Sequence, residues 1–131
     1  MLEIVDTVYL IAYLKPDDEK HEDALKLLSM LSRDRKVSQV ALVELDLLMK
    51  SRGFSSEERG SVWSLLGQII PKDFVEALIP IDFAIAVKLH EERGLDYFDA
   101  LMVAQCISRN ATPITTDTDI LKTVKDFKSP L

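Results

Sequence analysis

The chain has 131 residues, of which 47% are apolar and 29% are charged, an ordinary globular composition that allows one domain over residues 1–131 with a substantial core. The formal net charge of −6 argues against a protein that coats nucleic acid through a broad basic face, but it leaves open an enzyme that meets phosphate through a metal ion. We expect a cytoplasmic protein with no secretory signal and no membrane span, because no apolar run approaches the roughly 18 residues that a bilayer requires and the single Cys106 fits a reducing compartment.

The N-terminal part alternates between a short apolar run and helical patterns. The residues from Leu2 to Val5 predict a central strand. The apolar stretch from Thr7 to Leu14 predicts a helix that ends before Pro16. Asp17 or Asp18 is expected to cap the next helix, whose apolar stripe recurs at helical spacing at Ala24, Leu27, Leu28 and Leu31.

The middle of the chain repeats this alternation. A short strand is predicted at 36–38, followed by a helix that Ser38 caps and that runs through Met49, with Gly53 near its C-terminal end. The segment 55–58 has the spacing of a capping box. It opens a further helix, whose apolar stripe consists of Val62, Leu65, Leu66 and Ile69.

The C-terminal part completes the pattern of an α/β protein. Residues 75–81 predict a strand, Asp82 is expected to cap a helix that Gly94 ends, and the apolar segment from Tyr97 to Arg109 predicts a buried helix. The remaining predicted elements are a strand at 114–116, a short helix at 120–124 and an edge strand at 127–131. Because strands alternate with helices, we expect an α/β three-layer sandwich with a mostly parallel central sheet.

Four acidic residues stand beside hydrophobic elements that are far apart in the chain. Asp6 and Asp117 end predicted strands, Glu44 lies within the third predicted helix, and Asp99 lies near the start of the buried helix. The carboxyl ends of parallel strands gather at one crevice, so these side chains can converge. An acid beside a buried run is costly unless it is paired. We therefore predict a shared divalent metal ion, and in its absence an upward pKa shift for at least one carboxylate.

Each acid also has a plainer structural explanation. Asp6 and Asp117 are candidates for a helix cap and a turn, and Asp99 is a first-turn acid that the helix dipole favours. Glu44 is the hardest to explain in this way, since it lies mid-helix between the apolar residues Val43 and Leu45. The joint order of the acids favours the metal site.

The order and spacing of these segments resemble the PIN domain family. The resemblance covers nearly the whole chain and rests on residues 5–7, 38–45, 96–104 and 115–120. It implies a compact α/β sandwich with a Mg²⁺- or Mn²⁺-dependent nuclease site that usually acts on RNA. Many small members of this family resemble VapC-type toxins of toxin–antitoxin pairs, which implies an endoribonuclease that hydrolyses phosphodiester bonds and has an antitoxin protein as a partner.

Carried over by position, the resemblance implies catalytic and metal-binding roles for the acids. These are Asp6, Glu44, Asp99 and Asp117, with Asp96 and Asp119 as further metal-binding candidates. The family often has Asn two residues after the first Asp, whereas this chain has Val8, so a polar group near the metal is missing.

Substrate contacts are predicted from the residues near these acids. Thr115, Thr116 and Thr118 are candidates to donate to a phosphate or a carboxylate, and Thr116 is preferred because it adjoins Asp117. Basic side chains would grip flanking phosphates, with Lys50 and Arg52 preferred over Lys15, Arg59 and Lys122 because they follow Glu44 along the chain.

Three further expectations concern the class of function and the partners. The missing polar group at Val8 favours a PIN-like binding module that has lost turnover as the alternative to a nuclease. A phosphoacceptor receiver domain is disfavoured, because such a domain is expected to have a lysine after its late strand, where this chain has Asp117. The apolar helices between Thr7 and Leu31 predict a homodimer.

Overall fold

The computed structural model describes residues 1–127 and confirms the predicted α/β sandwich. Its strands are β1 (Glu3–Val5), β2 (Arg35–Ser38), β3 (Val75–Glu76) and β4 (Thr112–Ile114). Their order in the sheet is β3-β2-β1-β4, and every pairing between them is parallel. The predicted mostly parallel sheet is thus parallel throughout the described residues.

Helices cover both faces of this sheet and are longer than the strands. They are α1 (Thr7–Leu14), α2 (His21–Ser29), α3 (Gln39–Ser51), α4 (Ser56–Ile69), α5 (Pro80–Arg93), α6 (Tyr97–Arg109) and α7 (Thr118–Phe127), with a short 3₁₀ helix at Lys72–Phe74. Within residues 1–127, each helix is too short or too polar to cross a bilayer.

The two faces of β1 supply two hydrophobic cores. Successive side chains of a strand point to opposite faces of the sheet. Ile4 accordingly packs into a core built mainly by α5, α6 and α7, whereas Val5 packs into a core built mainly by α1, α2, α3 and α4. Both side chains are fully buried. The central strand is therefore the layer on which both cores depend.

Several predicted helix ends are confirmed by hydrogen bonds. The Ser38 Oγ accepts the N–H of Val40 at 3.0 Å and caps α3. The Ser55 Oγ accepts the N–H of Glu58, whose carboxylate accepts the N–H of Ser55, so the capping box before α4 is complete. Gly94 ends α5 with a φ of 68°, a left-handed conformation that favours glycine.

Three element boundaries in the C-terminal half differ from the predictions. The strand predicted at 75–81 ends at Glu76, because the next N–H groups bond to side chains rather than to a strand: Leu78 donates to Gln39 and Ile79 donates to Asp82. Asp82 therefore lies in the first turn of α5 rather than at its N-cap. The last strand lies at Thr112–Ile114 instead of 114–116, and α7 is longer than predicted.

Three smaller predictions also need correction. The Asp18 carboxylate accepts the N–H of Lys20 in the turn before α2, which begins only at His21, so it does not cap that helix. Leu65 is 44% exposed and does not belong to the buried stripe of α4. The predicted edge strand at 127–131 conflicts with α7 at Phe127, and the rest of it lies outside the described residues.

Candidate active site

The carboxyl ends of the neighbouring strands β1 and β4 open onto one cleft of about 300 Å³, which α3 and α6 also line. The chain passes from β1 to β2 and β3 on one side and returns to β4 on the other, so the strand order reverses at β1. Ligands of open α/β sheets bind at such a reversal. All four of the principal predicted acids line this acidic cleft: Asp6, Glu44, Asp99 and Asp117. The other lining residues are Thr7, Val8, Ile11, Leu48 and Thr116.

Asp6 is the most deeply buried acid of the cleft. It follows β1 directly, and its backbone N–H donates to the carbonyl of Ile114 at 3.0 Å. Its side chain is 8% exposed and accepts a hydrogen bond from the Thr115 hydroxyl at 2.7 Å. Burial raises the pKa of Asp6, and the bond from Thr115 offsets part of this rise. Asp6 makes no side-chain capping bond to α1, but hydrogen bonds from Thr7 at the start of that helix also lower its pKa, each by less than the bond from Thr115 does.

Glu44 reaches the cleft from the middle of α3. Its Oε1 accepts a hydrogen bond from the Thr7 hydroxyl at 2.5 Å, which joins α3 to the start of α1. Burial raises the pKa of Glu44 against the opposing effect of this bond, and the charges of Asp6, Asp96 and Asp117 add to the rise. Acids from three other segments of the chain therefore raise the pKa of Glu44.

Asp99 has the most strongly perturbed pKa of the cleft. It is partly buried in the first turn of α6. Burial is the largest cause that raises its pKa to about 7, followed by the charges of Asp96, Asp117, Asp6 and Glu44. The prediction that at least one carboxylate has a raised pKa is confirmed. Burial is the largest cause, and the charges of the converging acids add to it.

The other acids have structural roles in addition to their position. Asp117 accepts the N–H groups of Asp119 and Ile120 at 2.9 and 3.1 Å, and Asp96 accepts the N–H of Asp99 at 2.9 Å at the start of α6. Asp96 and Asp119 line a second, polar cleft of about 390 Å³, which Asp99 shares. The structure thus places these two further metal-binding candidates beside the acidic cleft, and Asp99 lines both clefts.

The basic residues are distributed on both sides of the acids. Lys122 lines the polar cleft. Arg52 lines an apolar pocket of about 200 Å³ between α1, α3 and α4, together with Lys15, and this pocket shares Ile11 and Leu48 with the acidic cleft. Lys50 is exposed and is not among the residues that line these three spaces. Arg59 is held by Asp46, with a nitrogen–oxygen distance of 2.6 Å.

The donor set of the acidic cleft fits a hard divalent cation better than a soft one. Its polar side chains are carboxylates and hydroxyls, which suit Mg²⁺ and Mn²⁺, and it contains no His or Cys among its lining residues. Within residues 1–127, no group of three or more His, Cys, Asp or Glu side chains is arranged to hold an ion by itself. Mg²⁺ is commonly bound by one or two carboxylates and several waters, so the arrangement is compatible with it.

The sequence patterns missed Thr7 as a residue that orients an acid, whereas Thr115 was among the predicted donors to a carboxylate. Thr7 is a helix residue in the apolar pattern, yet its hydroxyl donates to Glu44. Thr115 accepts the N–H of Asp117 at 3.0 Å while it donates to Asp6, whereas the preferred Thr116 lines the cleft. The available signal was the position of each threonine, one residue after Asp6 and two before Asp117.

Comparison with known proteins agrees with this geometry. The family model described as PIN domain matches residues 4–126. The crystal structure of FitAcB from Neisseria gonorrhoeae is similar with a TM-score of 0.70 and 19% identity, over 95% of this chain and 94% of that one. The crystal structure of VapBC2 from Rickettsia felis bound to a DNA fragment from their promoter gives 0.65 and 18%, over 93% and 92%. No curated protein matches the sequence significantly.

Proposed function

The chain belongs to the PIN domain family, and from this premise we propose that it is a Mg²⁺- or Mn²⁺-dependent endoribonuclease. One observation carries the proposal: Asp6, Glu44, Asp99 and Asp117 come from separate segments and line one cleft, where the pKa of Asp99 is raised to about 7. A bound cation would offset both the burial and the mutual repulsion that raise this pKa.

The four acids are the proposed ligands of the cation, with Asp96 and Asp119 beside them in the polar cleft. When bound, the cation would supply positive charge to the scissile phosphate and lower the pKa of a water molecule. The chain itself contributes orientation. Thr115 holds the Asp6 carboxylate and Thr7 holds that of Glu44. In the metal-free protein Asp99 holds a proton up to about pH 7, and it must release that proton before its carboxylate can bind the cation.

The substrate path is proposed to cross the acidic cleft between basic side chains on its two sides. The Thr116 hydroxyl would donate to the phosphate at the centre. Lys122 on one side, and Arg52 with Lys15 on the other, would contact the flanking phosphates. This arrangement lets a chain with a net charge of −6 bind a polyanion locally.

The direct test is cleavage of a mixed single-stranded RNA with and without Mn²⁺ by the wild-type protein and by Asp99→Asn. Asp17→Asn is the matched control, because Asp17 is exposed and lines none of the three spaces described above. We expect cleavage that requires Mn²⁺, is retained by the control and is lost in Asp99→Asn. Cleavage that Asp99→Asn leaves unchanged would refute the assignment, and equal cleavage of single-stranded DNA would refute the restriction to RNA.

A second candidate function is a PIN-like module that binds RNA without turnover. The observation that favours it is Val8, an apolar side chain that lines the acidic cleft where the family often has Asn. Val8→Asn distinguishes the two functions. A nuclease weakened at this position should gain activity, roughly within the 10- to 100-fold range of groups that orient metal ligands. A binding module should gain none.

Two protein partners are also proposed. Because similar structures are those of FitAcB and VapBC2, we propose that a small antitoxin protein binds this chain and places an Arg or Lys among the carboxylates. Self-association is the second proposal. Large exposed apolar side chains support it on α5 rather than on α1 and α2: Ile81, Phe83 and Val87 are 50%, 41% and 66% exposed. Light scattering of Val87→Asp against wild type would test that face.

A further inference from the structure

We propose that Gln105 is a positioning residue for the acidic cleft, acting through a buried hydrogen bond to Ser38. The inference deepens the nuclease function proposed above and rests on it. Gln105 lies on α6, and neither it nor Ser38 lines the acidic cleft. Its role would be to hold α6 and α3 in the register that brings Asp99 and Glu44 together.

The bond between the two side chains is fully buried. The Ser38 Oγ donates to the Gln105 Oε1 at 2.5 Å and accepts the N–H of Val40 at 3.0 Å. The Gln105 Nε2 donates to the carbonyl of Glu76 at 2.9 Å. Ser38 and Gln105 are both 0% exposed. One side chain thus connects α6 to the start of α3 and to the end of β3.

The position of this bond along the helices links it to the acids. Glu44 lies about two turns beyond Ser38 along α3, or roughly 9 Å. Asp99 lies the same distance before Gln105 along α6, so the contact runs antiparallel, with Ser38 facing Gln105 at one end and the two acids at the other. A slip of one residue would move an acid by about 1.5 Å along its helix. Displacements of this size at a reacting centre are costly.

The chemistry of the Gln105 side chain favours a role in fixing the register of α6 against α3 over a role in stabilising the core alone. Residues 100–106 of α6 are all buried, and Gln105 is the polar one among them. An apolar side chain there would pack without needing a partner, whereas a buried amide is costly unless its bonds are made. The Ser38 bond is made only in one alignment of α3 with α6. Buried polar groups that fix helix register in this way are known from other proteins.

The test measures Mn²⁺ binding, by the electron paramagnetic resonance signal of free Mn²⁺, well below the melting transition of each variant. Gln105→Met removes the amide while keeping an unbranched side chain of similar length, and Ser38→Ala removes the hydroxyl from the other side. Ser108→Ala is the matched control on the same helix, since its hydroxyl bonds to Asp82 on α5 and to the backbone carbonyl of Gln105 but not to the Gln105 amide. Cleavage of RNA is measured in parallel for kcat and KM.

We expect the Mn²⁺ dissociation constant to rise about 10- to 100-fold in Gln105→Met and in Ser38→Ala, with a fall in kcat and little change in KM. The double variant should lose less affinity than the product of the two single losses, because both changes remove the bond between Ser38 and Gln105, although each also removes one bond of its own, to Val40 and to Glu76. Ser108→Ala should bind like wild type. If Gln105→Met does not fold, Ser38→Ala against the control decides the question.

Wild-type Mn²⁺ affinity in the folded variants would overturn the inference, as would an equal loss in Ser108→Ala, which would indicate general loosening of α6. Failure of the proposed function would give a different result. The wild-type protein would not bind Mn²⁺, and Asp99→Asn would be as active as wild type. The inference would then fall together with the proposed function.

Discussion

Replacement of Asp99 by Asn is expected to stabilise the metal-free protein at pH 8 while it abolishes cleavage. Burial, together with the charges of Asp96, Asp117, Asp6 and Glu44, raises the pKa of Asp99 from 3.8 to about 7. The ionised carboxylate is therefore unfavourable in the folded state. Asn has nearly the same shape without the charge, so it removes the repulsion and a proposed ligand in one step.

The size of the effect follows from proton linkage. Between about pH 4 and pH 7, folded Asp99 holds a proton that the unfolded chain has released, so its contribution to stability falls as the pH rises through this window. A change in pKa from 3.8 to about 7 corresponds to an upper limit of roughly 4 kcal/mol. Because Asp99 is partly open to solvent, we expect Asp99→Asn to gain about 1–2 kcal/mol at pH 8 and almost nothing near pH 4.

Urea unfolding in the presence of a chelator, followed by the fluorescence of the single Trp63, measures this gain. Asp17→Asn, at an exposed position, should leave the free energy of unfolding unchanged at both pH values. Added Mn²⁺ at 100 times its dissociation constant should stabilise wild type by about 2.7 kcal/mol and reverse the order of the two proteins. A variant that is less stable than wild type at pH 8 without metal, or that gains equally at pH 4, would contradict the repulsion argument.

Three further outcomes test separate parts of the structure. Lys122→Ala should weaken binding of single-stranded RNA and reduce the slope of log affinity against log salt by about 1, measured by fluorescence anisotropy, while Lys125→Ala on the same helix should not. Thr115→Val, which removes the hydroxyl that orients the acid after β1, should lower kcat about 10- to 100-fold in the cleavage assay; unchanged kcat would exclude that orienting role. Gly67→Ala, in the middle of α4 with open space around an added Cβ, should raise the free energy of unfolding by about 0.5–1 kcal/mol, whereas Gly94→Ala should lower it because φ is 68° there; the opposite order in urea unfolding would contradict both assignments.

The elements that depend on local signals were predictable from the sequence. The helix from Thr7 to Leu14 and the helix from Tyr97 to Arg109 were predicted to the residue, because each is a continuous apolar stretch with polar residues or a proline beyond its ends. The convergence of the acids was also predictable, since it follows from where parallel strands end. That they act as metal ligands stays a prediction.

The features that depend on distant partners were not predictable. The end of β3 is set by Gln39 and Asp82, whose side chains take the N–H groups that a longer strand would use. The bond between Thr7 and Glu44 joins two helices that no local pattern relates. Gln105 has no local signal of its partner either, since Ser38 is reached only through the packing of α3 on α6.

The bond from Thr115 to Asp6 spans 109 positions of the chain, and β1 is the strand that β4 must join. During translation, Asp6 is made before Thr115 and lacks this hydrogen bond until the ribosome has added the 109 positions that separate the two residues. At about 5–20 residues per second, that interval lasts roughly 5–20 s. A nascent chain on the ribosome, surrounded by RNA, therefore carries an incomplete cleft until β4 and the residues that follow it have been synthesised.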